Sequence, residues 1–314
     1  MLITQLFLFS LGLAFLLFFA DLFVKSAVKL AYLLEISPLI IGATIVGLGT
    51  SLPELMVSLF AGLERSGGLV AGNVIGSNIA NIGLTLGASL LVGRVRIGTT
   101  KTPKLTILHF FLSLFFLSLL TYGVLDRRFG LLFIFLAGGV LFWEIQAGRR
   151  GAKAEDHLMF LNHPKVEMSR KKGFFLLFSG LLGTFLGGKI LVESSLNLAK
   201  ILRISPTIIG LSLVAFGTSL PELTTDVMAT LKGKGKLVIG ETLGTNIFNI
   251  LLVGGVGSIL SPLYFTNLVG VCFLLLFAFL LTFLVWFYRG RYVGRWWGGV
   301  LLGVYLVYLW FLFK

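Results

Sequence analysis

The stretch Gly49-Thr50-Ser51-Leu52-Pro53-Glu54-Leu55 returns later in the chain as Gly217-Thr218-Ser219-Leu220-Pro221-Glu222-Leu223. Each copy lies in a long apolar run and places a proline and a carboxylate side by side within it. Pro53 has no N–H, so the carbonyl of Gly49 loses its helical partner, and the ring crowds that carbonyl. Gly47 and Gly49 add backbone freedom just ahead. Together they predict a helix broken near Thr50–Leu52. Glu54 then falls in the first turn beyond the break, where the positive end of the helix dipole favours an ionised carboxylate. Pro221 and Glu222 repeat the device.

Working outward, residues 37–82 align with 205–250 at a constant offset of 168, without a gap, and 24 of the 46 positions are identical. A second shared stretch is Gly72-Asn73-Val74-Ile75-Gly76-Ser77-Asn78-Ile79-Ala80-Asn81-Ile82, matched by Gly240-Glu241-Thr242-Leu243-Gly244-Thr245-Asn246-Ile247-Phe248-Asn249-Ile250. The surroundings are those of a membrane protein. Of 314 residues, 57% are hydrophobic and 12% charged, with a mean hydropathy of +1.00. A soluble domain carries about a quarter charged residues, so soluble enzymes, nucleic-acid binders and disordered chains are excluded. Thirty phenylalanines suit a lipid-facing surface. The net charge of +13 is explained by basic cytoplasmic loops, not by nucleic acid. The single cysteine, Cys272, makes no internal disulfide. The first basic residue is Lys25 and the opening apolar run is long, so the N-terminus is expected to be a retained span, not a cleaved signal.

A bilayer core about 30 Å thick needs about 20 apolar residues per helix. Ten spans are expected, near 5–33, 38–62, 69–92, 105–124, 129–147, 173–201, 206–231, 237–260, 266–288 and 295–313. The polar stretch 148–172 divides the chain into an N-terminal five-helix repeat, 1–147, and a C-terminal one, 173–314. With the N-terminus outside, the connections 93–104, 148–172, 232–236 and 289–295 are cytoplasmic and hold 17 Lys and Arg, against 6 on the other side. That bias places both termini outside the cytoplasm. An odd number of spans per half makes the two copies enter the membrane from opposite sides. Such inverted repeats are typical of secondary transporters with a midplane site. The expected fold is therefore all-α and integral to the membrane, with broken helices at the centre.

The residues converging there are oxygen donors. Glu54 and Glu222 supply charge. Thr50 and Glu54 are four apart on one helical face, as are Ser77 and Asn81, and their counterparts are Thr218, Thr245 and Asn249. A site without His or Cys suits hard cations such as Ca²⁺ and Na⁺, not zinc or copper. Small polar residues also serve as packing faces between membrane helices, which is the plainer reading of Ser51, Ser219, Asn78 and Asn246 taken alone. A glutamate at the bilayer centre costs at least about 2.5 kcal/mol, so two of them argue for function. Asp21 and Lys25, like Lys189 and Glu193, read as span-end ion pairs. Asp226 lies four residues after Glu222, but its repeat mate is Ser58. Glu241, opposite Asn73 in the alignment, is expected near the cytoplasmic mouth as a gate or cation attractor. Glu144, His109, His157 and His163 read as span-end or loop residues.

The paired G-T-S-L-P-E and G-x-x-x-G-[ST]-N-I-x-N-I segments resemble the two alpha-repeats of the cation/calcium exchanger superfamily, most closely the prokaryotic sodium/calcium exchangers. The resemblance implies Na⁺-driven Ca²⁺ export by alternating access. It implies calcium held by Glu54 and Glu222 with the carbonyls of Thr50 and Thr218. It also implies sodium sites using the hydroxyls of Ser51, Ser77, Ser219 and Thr245 and the carbonyls of Gly47 and Ala215. Asn81 and Asn249 fall at amide or carboxylate positions beside the glutamates. Potassium-dependent relatives carry Asp at the second of these, and here it is Asn249.

The sequence thus reads as an antiporter of the cell membrane exchanging Na⁺ for Ca²⁺, with these ions as substrates, the bilayer as surroundings, no cofactor and no obligate protein partner. One Ca²⁺ or two Na⁺ neutralise the glutamate pair. The rival reading is a proton-coupled cation exchanger, since protons can replace Na⁺ on two glutamates. The Ser, Thr and Asn donors favour Na⁺, because protons do not need them. An intramembrane enzyme would need a Ser–His pair, a zinc-type His cluster or paired membrane aspartates, and the sequence offers none at suitable positions. A channel would not call for two-sided helix breaks.

Overall fold

The fold is that of a computed structural model, which describes residues 1–33, 49, 51–99, 101–122, 125–151, 168–233, 235–265 and 267–314. Gly47, Thr50, His157, His163 and the first part of the expected span 38–62, residues 38–48, lie outside the described residues.

The described residues are helical apart from short connections and two strands of two residues each. In order, α1 is Leu2–Leu33, α2 Leu52–Leu63, α3 Gly67–Ala80, α4 Gly87–Val92, α5 Lys101–Thr121, α6 Arg127–Gly151 and α7 Arg170–Leu202. There follow α8 Pro206–Ile209, α9 Ala215–Thr218, α10 Leu220–Leu231, α11 Lys236–Phe248, α12 Gly254–Leu260, α13 Leu268–Phe287 and α14 Arg295–Leu312. Three π-helical turns, Asn81–Leu86, Gly210–Val214 and Asn249–Val253, join α3 to α4, α8 to α9 and α11 to α12. Among the described residues seven helices are long and apolar enough to cross a membrane, or eight if the pair 206–218 and 220–231, bent by 42°, is one span. α2 is a shorter apolar helix.

Helix ends follow local chemistry. Ser169 accepts the Lys172 N–H at 3.3 Å and Ser205 accepts the Ile208 N–H at 3.3 Å, the usual N-cap contacts. Pro206 takes the first helical position, where its missing N–H costs nothing. α7 stops at Arg203 in the left-handed conformation, φ 55°. Because α6 runs through Gly151 and α7 starts at Arg170, both ends of the stretch 148–172 are helical.

His109 corrects an expectation. It is buried, two turns inside α5, with Nε2 3.4 Å from the Ser113 hydroxyl. The span begins at Lys101, not 105, because Lys101-Thr102-Pro103-Lys104 forms a polar first turn that tolerates proline. That start carries His109 inward.

The helices form a shell around a polar centre. The window within 67–92 is 83% buried, whereas that within α1 is 22% buried. Large rings such as Phe7, Phe18, Phe135 and Phe175 point outward on the periphery. α1 lies along α7. There Asp21–Lys25 (2.7 Å) and Lys189–Glu193 (3.8 Å) pair within their own helices on exposed faces, as expected of residues that are not ligands. At the centre α3 crosses the segment 206–218 at backbone contact. A Cβ on Gly76 would sit 2.6 Å from Ala215 Cβ and 2.8 Å from the Leu211 carbonyl, so only glycine allows the approach.

The loops gather at two ends. At one, β1 (Val95–Arg96) pairs antiparallel with β2 (Tyr292–Val293), Arg289 Nε donates to the Thr99 carbonyl at 2.7 Å, and Gly235 abuts the Arg94 carbonyl. At the other, Leu263 N–H bonds the Leu125 carbonyl at 3.0 Å, and Gly67 and Gly68 meet Pro262 and Thr207.

Candidate functional site

The site is built where helices start and bend. Ser51 and Ser219 sit at the N-caps of α2 and α10 with nearly identical backbones (φ −82°, ψ 4° and φ −83°, ψ 4°). Pro53 and Pro221 follow at the helix starts, and Glu54 and Glu222 occupy the first turns. The break before Glu222 is the 42° bend, and it arises because Pro221 cannot donate to the Gly217 carbonyl.

Glu54 is 0% exposed and Glu222 2%, and they lie close enough to repel one another. Among the described residues none of their four carboxylate oxygens receives a hydrogen bond. Thr218 lies beside Glu54, but its hydroxyl is turned to the Ala215 carbonyl, at 3.4 Å. That carbonyl also accepts the Ser219 N–H at 3.1 Å. Two buried carboxylates without donors are costly unless positive charge joins them.

The helices of Glu54 and Glu222, and the segments packed on them, carry buried neutral oxygens. The hydroxyls of Ser51, Ser77 and Ser219, the Asn81 carbonyl oxygen and the whole Asn249 amide are buried and have no partner among the described residues. Thr245 and Ala215 are buried nearby in the sequence of the same segments. No three His, Cys, Asp or Glu side chains converge as a metal cluster among the described residues. A cation here would therefore be held by two carboxylates supplemented by hydroxyls, amides and carbonyls.

Other polar residues hold the helices in place. Asn81 Nδ2 donates to Asn246 Oδ1 at 3.0 Å, and Asn246 Nδ2 donates to the Asn78 carbonyl at 3.2 Å, tying α3 to α11. The Asn246 side chain thus joins two helices, whereas that of Asn78 donates to the Val74 carbonyl of its own helix at 2.8 Å and leaves its Oδ1 without a partner among the described residues. Asn73 Nδ2 donates to the Glu54 carbonyl and to the Ser58 hydroxyl, both at 3.1 Å, fixing α2 against α3. Both π-helical turns beside the carboxylates begin at the asparagines, Asn81 and Asn249. Such turns often mark functional positions, and nothing in the residue pattern announced them. Thr85 and Ser89 also escaped notice. Their hydroxyls are buried without partners, and the signal was a spacing of four that continues from Ser77 and Asn81.

Two clefts open at the end formed by residues 65–68 and 260–264. One, of about 580 Å³, includes Arg65, Pro206 and Tyr264, and the other, of about 470 Å³, includes Arg65, Lys200 and Arg203. Neither is lined by Glu54 or Glu222, whose side chains are sealed from solvent.

Residues 4–146 and 172–314 match the family model described as sodium/calcium exchanger protein. The sodium/calcium exchanger MaX1 of Methanosarcina acetivorans is 32% identical, over 96% of this chain and 97% of its own. An uncharacterized membrane protein of Methanocaldococcus jannaschii is 33% identical over 95% of each chain. Among solved structures, the sodium-calcium exchanger NCX_Mj soaked with 10 mM Na⁺ and 10 mM Sr²⁺ superposes with a TM-score of 0.66 at 32% identity, covering 98% of both chains.

Proposed function

This chain belongs to the sodium/calcium exchanger protein family, and on that premise we propose that it is an antiporter exchanging Na⁺ for Ca²⁺ across the cell membrane by alternating access, normally exporting Ca²⁺. The observation that carries the reading is the buried pair Glu54 and Glu222, with no donor on any carboxylate oxygen among the described residues and unpartnered neutral oxygens buried on their own helices and on the segments packed against them. One Ca²⁺ or two Na⁺ bring the pair to neutrality, and a neutral site can pass low-dielectric walls. The empty site keeps two negative charges in a dry interior, which slows its interconversion. That penalty is the physical basis of exchange without leak. The chemistry needs no cofactor and makes no covalent bond, in keeping with transporter relatives.

Calcium is assigned to Glu54, Glu222 and the carbonyls of Thr50 and Thr218. Sodium is assigned to Ser51, Ser77, Ser219 and Thr245 with the carbonyls of Gly47 and Ala215, and Asn81 and Asn249 stand beside the glutamates. The architecture in which this works is ten spans as two inverted five-helix repeats, 1–147 and 173–314, joined by a cytoplasmic linker with both termini outside. The proline-started helices of equal length, 168 positions apart with matching N-cap backbones, support it.

The test is counter-flow in sealed vesicles. Ca²⁺ uptake should require Na⁺ on the opposite side and fail when only a pH gradient is imposed. Robust uptake with Na⁺ absent from both sides would replace this reading with proton coupling.

A further inference from the structure

The repeat changes its chemistry at a bonded pair of buried residues. Ser58 and Asn73 bond to each other at 3.1 Å in the first half. Their counterparts at the offset of 168 are Asp226 and Glu241. They stand on α10 and α11, which pack against each other as the helices of Ser58 and Asn73 do. A neutral hydrogen-bonded pair in one half is thus a pair of acids in the other.

The surroundings of the acids are polar in a way those of Ser58 are not. Asp226 is 1% exposed, and its Oδ1 has no partner among the described residues. Thr230, four residues on and so on the same face of α10, is 6% exposed, and its hydroxyl also has none. A Cβ on Gly93 would meet the Thr230 methyl at 2.6 Å, so the hydroxyl points away from that wall. Thr242, next to Glu241 on α11, is buried and donates to the Val238 carbonyl at 2.9 Å. α10 packs on the π-helical turn 81–86 and on α4. There Gly83 and Gly87 face α13 and α14. Thr85 and Ser89, two residues further on in each case, lie on the opposite side and are buried with unpartnered hydroxyls. The equivalents of Thr85 and Ser89 in the second half are Val253 and Gly257.

We propose that Asp226 and Glu241, with the hydroxyls of Thr230 and Thr242, form a second cation site on the seam between α10 and residues 81–92, taking a divalent hard cation such as Ca²⁺. Two carboxylates and two hydroxyls offer up to six oxygens, the donor set Ca²⁺ accepts. Asp226 stands between Glu222 and the turn after Leu231, about 8 Å from that turn at 1.5 Å per residue. The site is therefore a station on the route between Glu222 and the end of the molecule built from Gly93, Gly235 and β1–β2. Its role as a station rests on the proposed transport function, whereas its occupancy does not.

Binding can be measured apart from transport. In detergent-purified full-length protein, Glu54→Gln with Glu222→Gln removes the central pair. Equilibrium binding of radioactive Ca²⁺ in Na⁺-free buffer should then still show one ion per chain. Adding Asp226→Ser and Glu241→Asn, which transplants the first half's own pair, should weaken the remaining binding at least about tenfold. Asp226→Asn alone, close in shape, should weaken it in the same direction and serves if the transplanted protein does not elute as a single species. Absence of Ca²⁺ binding in the Glu54→Gln, Glu222→Gln protein, or binding indifferent to both sets of changes, overturns the site. Failure of Na⁺-driven Ca²⁺ flux in the unmodified protein would instead count against the proposed function and leave this measurement intact.

Discussion

Glu54 and Glu222 set the energetics at the scale of single residues. Gln has nearly the shape of Glu but no charge, so it keeps the packing and removes what offsets the dehydration of Ca²⁺. Glu54→Gln and Glu222→Gln should each abolish Ca²⁺ uptake into Na⁺-loaded vesicles, while yield and size-exclusion profile stay those of the unmodified protein. Uptake near the unmodified rate in either variant would remove the assignment. Ser77 and Thr245 test the sodium side. Their hydroxyls bring oxygen without charge, a larger share of a monovalent ion's coordination than of calcium's. Ser77→Ala and Thr245→Val should therefore weaken apparent Na⁺ affinity several-fold more than Ca²⁺ affinity, read from Na⁺ and Ca²⁺ titrations of the flux. Asn249 adds no charge for a further cation, so the same flux should be indifferent to K⁺. The two acids were legible from sequence because a charge in an apolar run has few structural excuses. Thr85, Ser89 and Thr230 were not, since a hydroxyl in a membrane helix usually bonds back to its own backbone. Only the fold shows that these do not.

Individual elements carry the breaks and crossings that bring those residues together. The break at Pro221 was legible because proline removes a donor wherever it stands in a helix. The 42° bend is the outcome. The π-helical turns at Asn81 and Asn249 were not legible, because they depend on how neighbouring helices crowd the chain. Pro221→Ala restores a donor for the Gly217 carbonyl and should straighten the segment. Ca²⁺ exchange should fall at least about tenfold while thermal stability is kept or raised, since proline in a continuous helix costs about 3 kcal/mol. Exchange at full rate in this variant would show that the bend is not needed. The crossing of α3 over 206–218 was invisible in the sequence beyond its glycines. It fixes where Ser77 and Asn81 stand relative to α10.

On the scale of the whole molecule, seven of the ten expected spans, or eight with the bent segment 206–231 counted as one, coincide with described helices long and apolar enough to cross a membrane, and 129–147 does not. A span's length follows from bilayer thickness, which the sequence must match. The loops supply a further link. Residues 93–99, 235 and 289–294 meet at one end of the structure. The basic loops 93–104, 232–236 and 289–295 were assigned to one side by charge alone. Convergence in space and the shared excess of Lys and Arg are independent of each other, and both follow if that end faces the cytoplasm. The opposite end carries the clefts lined by Arg65 and Pro206. With Cys272 replaced by Ser, single cysteines at Lys232 and Arg289 should be silent to a membrane-impermeant maleimide in intact cells and react once the membrane is opened. A cysteine at Tyr264, exposed at the other end, should react in intact cells. Labelling of Lys232→Cys or Arg289→Cys from outside would invert the molecule. Export of Ca²⁺ would then have to begin at the end that holds the clefts, and Asp226 and Glu241 would stand on the exit side of the site instead of its entrance.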